Sequence, residues 1–453
     1  VGAAPPHGSN LLYGNRRKQN NRLGRDRLNM SLFVQMHPIE GMRDLAMQQW
    51  AHALRKAGHT VVEHSLLEPS AAPENHFSEL SAKIRSLNPD AIFTHGGMGF
   101  HSPQFYLRPE IAEIPLLSFW FDDPLRPVST FMRKPRYLDA LRRPRCLHFV
   151  WDGYWRDWLW EKHAVRSLPI HLAADPEEFH PDKRIVEHSS WLVFVGTLSG
   201  KETLEKIIFK MPPLLRKVAY ALEKEVAAAS YGAQPYHLLD AVIAGRSETF
   251  RQAILETREK DPDAWLALCH YAWHIGKNET RRRLLREAMK VGPLLILAGN
   301  LERSQAAEHE WKAALGETRF ALRVIDTGHM RGDGLNTLYR HGCLHLQATD
   351  PQSVESGIPF RVFQTTACAR PLISDIKPGL ASCYDFEKEI LTFSSDKDAA
   401  EKIAFAFSRP ALLEEVAEAG HKRFLLEHTW KNRIEYVLQK TAAEFRVQPD
   451  EKG

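Results

Sequence analysis

Short, nearly continuous apolar runs alternate with amphipathic segments along most of this chain, and that alternation leaves few architectures open. SLFVQMH (31–37) reads as a buried strand, RDLAMQQWAHALRKAG (43–58) as a helix ending at Gly58, and HTVVEH (59–64) as the next strand. A helix near 76–87 leads to DAIFTHGG (90–97), and IPLLSFWFDDP (114–124), CLHFVWD (146–152) and LPIHLAADP (168–176) continue the series. Strands that are apolar on both faces belong in a parallel sheet covered by helices on each side. The rhythm restarts at WLVFVGTLSGKETLEKI (191–207) and then breaks. Residues 212–290 contain no convincing strand, only helical stretches such as DAWLALCHYAWHIG and ETRRRLLREAMK. Strand-like runs return at GPLLILAGN (292–300), RFALRVIDTG (319–328), GCLHLQAT (342–349), RPLISD (370–375) and EILTFSS (389–395), and helices near 396–408, 410–427 and 430–446 close the chain. The expectation is an α/β protein of two Rossmann-like domains with parallel sheets. The first covers 30–185 and the second 186–430, with a helical insertion at 212–290; a last helix and tail occupy 431–453.

Composition narrows the function classes. At 453 residues the chain exceeds one ordinary core. The net charge of +4 is uneven: Arg16, Arg17, Lys18, Arg22, Arg25 and Arg27 against Asp26 give residues 1–29 a balance of +5, so the rest sums to −1. A near-neutral body lacks the basic face that neutralises phosphate backbones, so no nucleic-acid partner is expected, and the basic segment 1–29 reads as a flexible leader. Five scattered cysteines without a C-x-x-C pair point away from a disulfide framework or zinc ribbon and toward a reducing cytoplasm. No apolar run reaches the length of a membrane span.

In open parallel sheets ligands bind beyond the carboxyl ends of the strands, so chemistry is sought in the loops there. After the run 191–195 come Gly196-Thr197 and then Gly200-Lys201, where glycine lets backbone amides approach a phosphate and lysine adds charge. This is not a P-loop, since Glu202 follows Lys201, and no G-x-G-x-x-G follows any strand, which disfavours a nicotinamide dehydrogenase. THGGMGF places His95 at a strand end, and FWFDDPLRP places Asp122 and Asp123 there; each can serve as a general base toward a hydroxyl, or else cap a helix or fill a wall. Metal signals are poor: His341 and His345 in HGCLH lack a third ligand, and DPD (261–263) is explained by an N-cap with proline in the first turn. SGIPFRVFQTTACARPLISD (356–375) joins a Gly-Ile-Pro turn to a helix of small residues with Arg361 in its first turn, an arrangement suited to receiving an anion.

PDAIFTHGGMGF, IPLLSFWFDDP, LPIHLAADPEEFHP, LVFVGTLSGK, GIPFRVFQTTACARPLISD and HKRFLLEHTWKNRIEYVL stand in the order of the CgeB-like glycosyltransferases, a bacterial family named for spore maturation. The chain resembles that family from about residue 85 to 440. The resemblance implies a GT-B fold, two Rossmann-like domains across a cleft, with a nucleoside diphosphate sugar (UDP-sugar foremost) held by the second and the acceptor by the first. It implies no metal or other cofactor for the diphosphate, and a final helix, TWKNRIEYVLQ, crossing back to the first domain. By the same resemblance Gly196, Thr197, Lys201, Gly357 and Arg361 would hold the diphosphate, Glu355 a ribose or sugar hydroxyl, and Tyr339 with the loop after Gly328 the base. His95 or Asp122 would deprotonate the acceptor, which can be protein, polysaccharide or lipid. Gln364 stands where retaining relatives carry a second Glu, Ser356 stands eight residues before it, and Ala369 replaces a glycine. An amide bonds a hydroxyl but carries no negative charge. Two alternatives therefore accompany sugar transfer: a degenerate module that binds a glycan, nucleotide or protein, the last through 212–290, and a nucleotide-sugar epimerase.

Overall fold

The computed structural model describes residues 31–37, 45–66, 73–131, 134–182, 190–298, 304–317, 319–327 and 333–445. The basic leader, the loop after Gly328 and the tail beyond 445 lie outside the described residues. The first half forms strands β1 (Leu32–His37), β2 (Thr60–Ser65), β3 (Ala91–His95), β4 (Leu116–Trp120), β5 (Cys146–Val150) and β6 (Ser167–Pro169), joined in the order β2-β1-β3-β4-β5-β6. The second half forms β7 (Leu192–Val195), β8 (Leu294–Ala298), β9 (Leu322–Asp326), β10 (Leu344–Gln347), β11 (Leu372–Asp375) and β12 (Leu391–Phe393), in the order β12-β11-β10-β7-β8-β9. Every pairing in both sheets is parallel.

Period-two alternation divides each strand between two cores. Val34, Met36, Ile92, Leu116, Trp120 and Val150 point to one side of the first sheet, and Phe33, Phe93, Leu117, Phe119, Leu147 and Phe149 to the other. In the second sheet Leu192, Phe194, Leu294, Ile296, Leu344 and Leu346 face one core while Val193, Leu295 and Leu297 face the opposite one. Burial on both faces is why these strands read as unbroken apolar runs.

Between β7 and β8 stand five helices and no strand: Lys201–Phe209 directly after β7, then the inserted four, Pro213–Ala228, Pro235–Ala244, Glu248–Lys260 and Pro262–Ala288. The last is 27 residues long, and the Asp261 carboxylate caps it by accepting from the Ala264 amide at 3.0 Å. Its first part packs Leu268, Tyr271, Ala272 and Ile275 among the inserted helices, while Leu284, Leu285 and Ala288 enter the core of the second sheet. The block also leans on the first half, where Tyr236 meets Trp155 edge-on with ring centroids 5.6 Å apart.

The final helix, Trp430–Phe445, packs against Leu45–Lys56 of the first half. Trp430 Nε1 donates to Gln49 Oε1 at 2.7 Å, and the buried Arg433 guanidinium donates to the carbonyls of His171, Leu172 and Glu427. Trp430 also meets Trp50, Phe121 and Phe360, an aromatic bridge that joins the two halves. Trp430 is 1% exposed. Trp430→Ala is expected to cost about 3–5 kcal/mol in urea unfolding, through the cavity and the orphaned Gln49 carbonyl; a loss below about 1 kcal/mol would show that this bridge does not hold the halves together.

Candidate functional site

A cleft of about 460 Å³ opens between the two sheets. Ala46, Gln49, Phe121, Asp122, Trp151 and Leu172 line it from the first half, and Asp350, Gln352, Pro359, Phe360, Arg361 and Gln364 from the second. Phe121 and Asp122 follow β4, Trp151 follows β5, and Asp350 and Gln352 follow β10, so the cleft lies beyond the carboxyl ends of both sheets.

The second wall is built on helix Phe360–Ala367. Its small and apolar residues Val362, Phe363, Thr365, Thr366 and Ala367 are buried, and Thr366 Oγ1 bonds the Tyr384 hydroxyl at 2.8 Å. Arg361 and Gln364, three residues apart, share the remaining face and reach the cleft together. The buried Tyr339 hydroxyl donates to Gln364 Oε1 at 2.6 Å. Burial raises the Tyr339 pKa well above the phenol range, so it remains a donor. With its carbonyl engaged, Gln364 presents its NH₂ group, and the wall offers an amide donor beside a guanidinium. Tyr339 thus lies in the core behind Gln364, orienting it, and does not line the cleft as a base-holding residue would.

Asp122 and Asp123 divide two roles. Asp123 is buried, accepts from the Leu125 amide at 3.0 Å at the start of helix Leu125–Phe131, and takes Gln352 Nε2 at 2.8 Å from across the interface. Asp122 is the one that lines the cleft. His95 sits behind this wall, edge-on to Phe121 at 5.7 Å, and is not among the lining side chains.

Three expectations for the diphosphate are corrected. The amides of Glu355, Ser356 and Gly357 do not open to the cleft: all three donate to Asp152 Oδ2, at 3.1, 3.0 and 2.7 Å. The Ser356 hydroxyl accepts from the Gly153 amide at 2.8 Å, and the Glu355 carboxylate lies over Gly153, its pKa raised by burial and by the neighbouring Asp152 and Asp157. Close approach requires the glycines here. A Cβ at Gly357 would stand 2.9 Å from the Trp151 ring, and one at Gly379 would stand 2.0 Å from the Ser356 carbonyl oxygen. Lys201 is the second correction: its side chain is 90% exposed, 3.7 Å from Glu205 on the outer face of helix Lys201–Phe209. Gly196 is the third, since its amide donates to the Leu297 carbonyl at 2.9 Å as a continuation of the ladder. Thr197 contributes its carbonyl, which accepts from Arg281 Nη1.

Arg281 and Lys277 are cations that the reading of strand-end loops missed. Both lie on helix Pro262–Ala288, one turn apart, and both are buried. Arg281 Nη2 pairs with Asp350 at 3.2 Å, and Asp350 also accepts from Trp273 Nε1 at 2.6 Å. Burial first, then the Arg281 and Arg361 charges, push the Lys277 pKa down to about 8 against the opposing pull of Asp350. The available signal was two cations four apart on the otherwise apolar stripe of one long helix.

Residues 281–439 match the family model described as glycosyl transferase-like. A comparison with curated proteins finds no match. Among solved structures, a glycosyltransferase from Rickettsia africae superposes with a TM-score of 0.53 at 11% identity, over 93% of this chain and 100% of that one. Anabaena Alr3699/HepE, solved in complex with UDP and glucose, gives 0.51 at 10% identity, over 91% and 100%. Sucrose-phosphate synthase from Thermosynechococcus elongatus gives 0.50 at 12%, over 92% and 100%. The fold is GT-B. Identities this low establish architecture, and within that GT-B frame the described cleft is the space between the two Rossmann-like halves.

The displaced Lys277 titration makes a stability prediction. A lysine whose pKa falls from 10.5 to about 8 on folding destabilises the fold fully below pH 8, and the penalty disappears as pH rises through 10.5. Lys277→Met is therefore expected to be more stable than the parent by roughly 2–3 kcal/mol at pH 7, with the gap closing toward pH 10.5 in urea titrations. A variant less stable than the parent at pH 7 would contradict this electrostatic account.

Proposed function

We propose that the protein transfers a sugar from a nucleoside diphosphate sugar to an acceptor hydroxyl, as a CgeB-like glycosyltransferase. The observation that carries this reading is the pairing, across one GT-B cleft, of a guanidinium and an amide donor from the second half with a carboxylate from the first. Negative charge grows on the departing diphosphate as its bond to the anomeric carbon breaks. Arg361 meets that charge with charge-assisted hydrogen bonds, and Gln364 adds a neutral donor beside it. On an inverting course Asp122 accepts the proton of the acceptor hydroxyl while its oxygen attacks the anomeric carbon from the opposite face. No step in this scheme draws on a metal ion. UDP-sugars are the first donors to test, since HepE, which shares the fold, was solved in complex with UDP and glucose.

A second reading, a module that binds the nucleotide without turning it over, is favoured by one residue. Gln364 is neutral and held by Tyr339, so it cannot act as a carboxylate toward the sugar.

The test measures nucleoside diphosphate release from a panel of nucleotide sugars with mixed acceptors, in the presence and absence of EDTA. Sugar transfer predicts acceptor-dependent release that is insensitive to EDTA, and a loss of roughly a hundredfold in Arg361→Ala. Full turnover in Arg361→Ala would overturn the assignment. Tight donor binding without release across the panel would establish the second reading instead.

A further inference from the structure

The inserted helical block has no part in the scheme above, yet its last helix reaches the wall of the cleft. Trp273, Lys277 and Arg281 recur every fourth residue on Pro262–Ala288 and share one face. Two of the three are engaged with the protein itself: Trp273 Nε1 donates to Asp350 Oδ1, and Arg281 divides its guanidinium between Asp350 and the Thr197 carbonyl. Asp350 further accepts from the Gln352 amide at 3.1 Å, so its two oxygens are occupied. Lys277 is different. It is only 7% exposed, its ammonium lies 4.4 Å from the centre of the Trp273 ring, and among the described residues it makes no hydrogen bond or ion pair.

The charged neighbourhood of Lys277 comprises Arg281 and the half-buried His274 on its own helix, whose pKa burial and the Lys277 charge lower to about 3, with Asp350 and Arg361 from the rest of the second half. Three cations therefore share one carboxylate, and that carboxylate is already bonded. A desolvated ammonium without a counter-ion is unfavourable, and an apolar residue of similar length would pack over Trp273 at lower free energy. The arrangement becomes favourable once an anion enters between Lys277 and Arg361. Asp350 and Arg361, whose charges act on Lys277, both line the cleft; Lys277 stands in the layer behind them, over the Trp273 ring whose Nε1 bonds Asp350.

We infer that Lys277, supplied by the inserted block, receives a phosphate oxygen of the nucleoside diphosphate opposite Arg361. This rests on the proposed nucleotide-sugar reading and deepens it: the insertion contributes a cation to the phosphate end of the cleft, the task that Lys201 does not perform. Lys277 acts there as a point charge with three rotatable donors, suited to a phosphate group whose oxygens shift as the leaving bond lengthens.

The test is calorimetric titration at pH 7 of the full chain, Lys277→Met and Lys277→Gln with four nucleoside diphosphates and with inorganic pyrophosphate. Circular dichroism and thermal melts check the fold of each variant. The expected result is at least a tenfold weakening of nucleoside diphosphate and pyrophosphate binding in both variants, while the unliganded Lys277→Met melts higher than the parent. Variants that bind a nucleoside diphosphate as tightly as the parent overturn the role of Lys277 and leave the reading of the cleft standing. Pyrophosphate binding that is weakened in the variants, with no nucleoside diphosphate bound by the parent, upholds Lys277 as an anion site and overturns the nucleotide reading. A parent chain that binds neither overturns both.

Discussion

A buried carboxylate of the first half anchors the loop that opens the second half's side of the cleft. Asp152, fully buried at the end of β5, caps helix Gly153–His163 through the Tyr154 amide with one oxygen and gathers the amides of Glu355, Ser356 and Gly357 with the other. Three converging backbone donors form the kind of concavity that elsewhere binds free anions, and here the protein fills it from within. The loop so anchored leads directly into Phe360–Ala367. Its fixed entry determines which face of that helix, and therefore which side chains, turn toward the opposite sheet.

The cleft that results is electrically lopsided. From the second half come Arg361, the NH₂ group of Gln364 and, just behind them, Arg281 and Lys277; from the first comes Asp122. Donors on one wall and an acceptor on the other suit a reaction in which negative charge accumulates at one end while a proton is removed at the other. The buried layer behind the second wall, where Arg281 and Lys277 lie, strengthens the first effect, because a charge interaction is weakened less there than in bulk solvent. The same surroundings make the unpaired Lys277 unfavourable in the absence of an anion. On the role proposed for Lys277, stability and function oppose one another at that position.

Much of the architecture was legible in the sequence because it rests on local pattern. Four- to six-residue apolar runs such as LFVQMH and LLILA can be buried on both faces only in a covered parallel sheet, and each became a strand. The strand-free stretch before GPLLILAGN became four helices, and the closing helices fell within a residue or two of their expected limits. Asp122 was legible as a cleft residue because position just past a strand end fixes which edge of the sheet it occupies, and Arg361 because it stands in the first turn of the helix that the Gly-Ile-Pro turn opens. What was not legible depends on partners distant in the chain. The Gly357 amide finds its acceptor 205 positions away, and nothing in SGIPFRV announces it. Lys201 follows a glycine loop as a phosphate-binding lysine would, but the rotation of its helix, set by tertiary packing, turns it into solvent. Lys277 carried the opposite disguise, a cation in the middle of what reads as an ordinary packed helix.

On the proposed reading, the space between the clasped halves receives a diphosphate. A crystal structure of the protein grown with a nucleoside diphosphate tests it most directly. The expected density for the diphosphate lies against Arg361 and the Gln364 NH₂ group, with Asp152 still holding the amides of residues 355–357. Density for the diphosphate at the outer face beside Lys201, or in place of the Asp152 carboxylate with Arg361 left untouched, would contradict it.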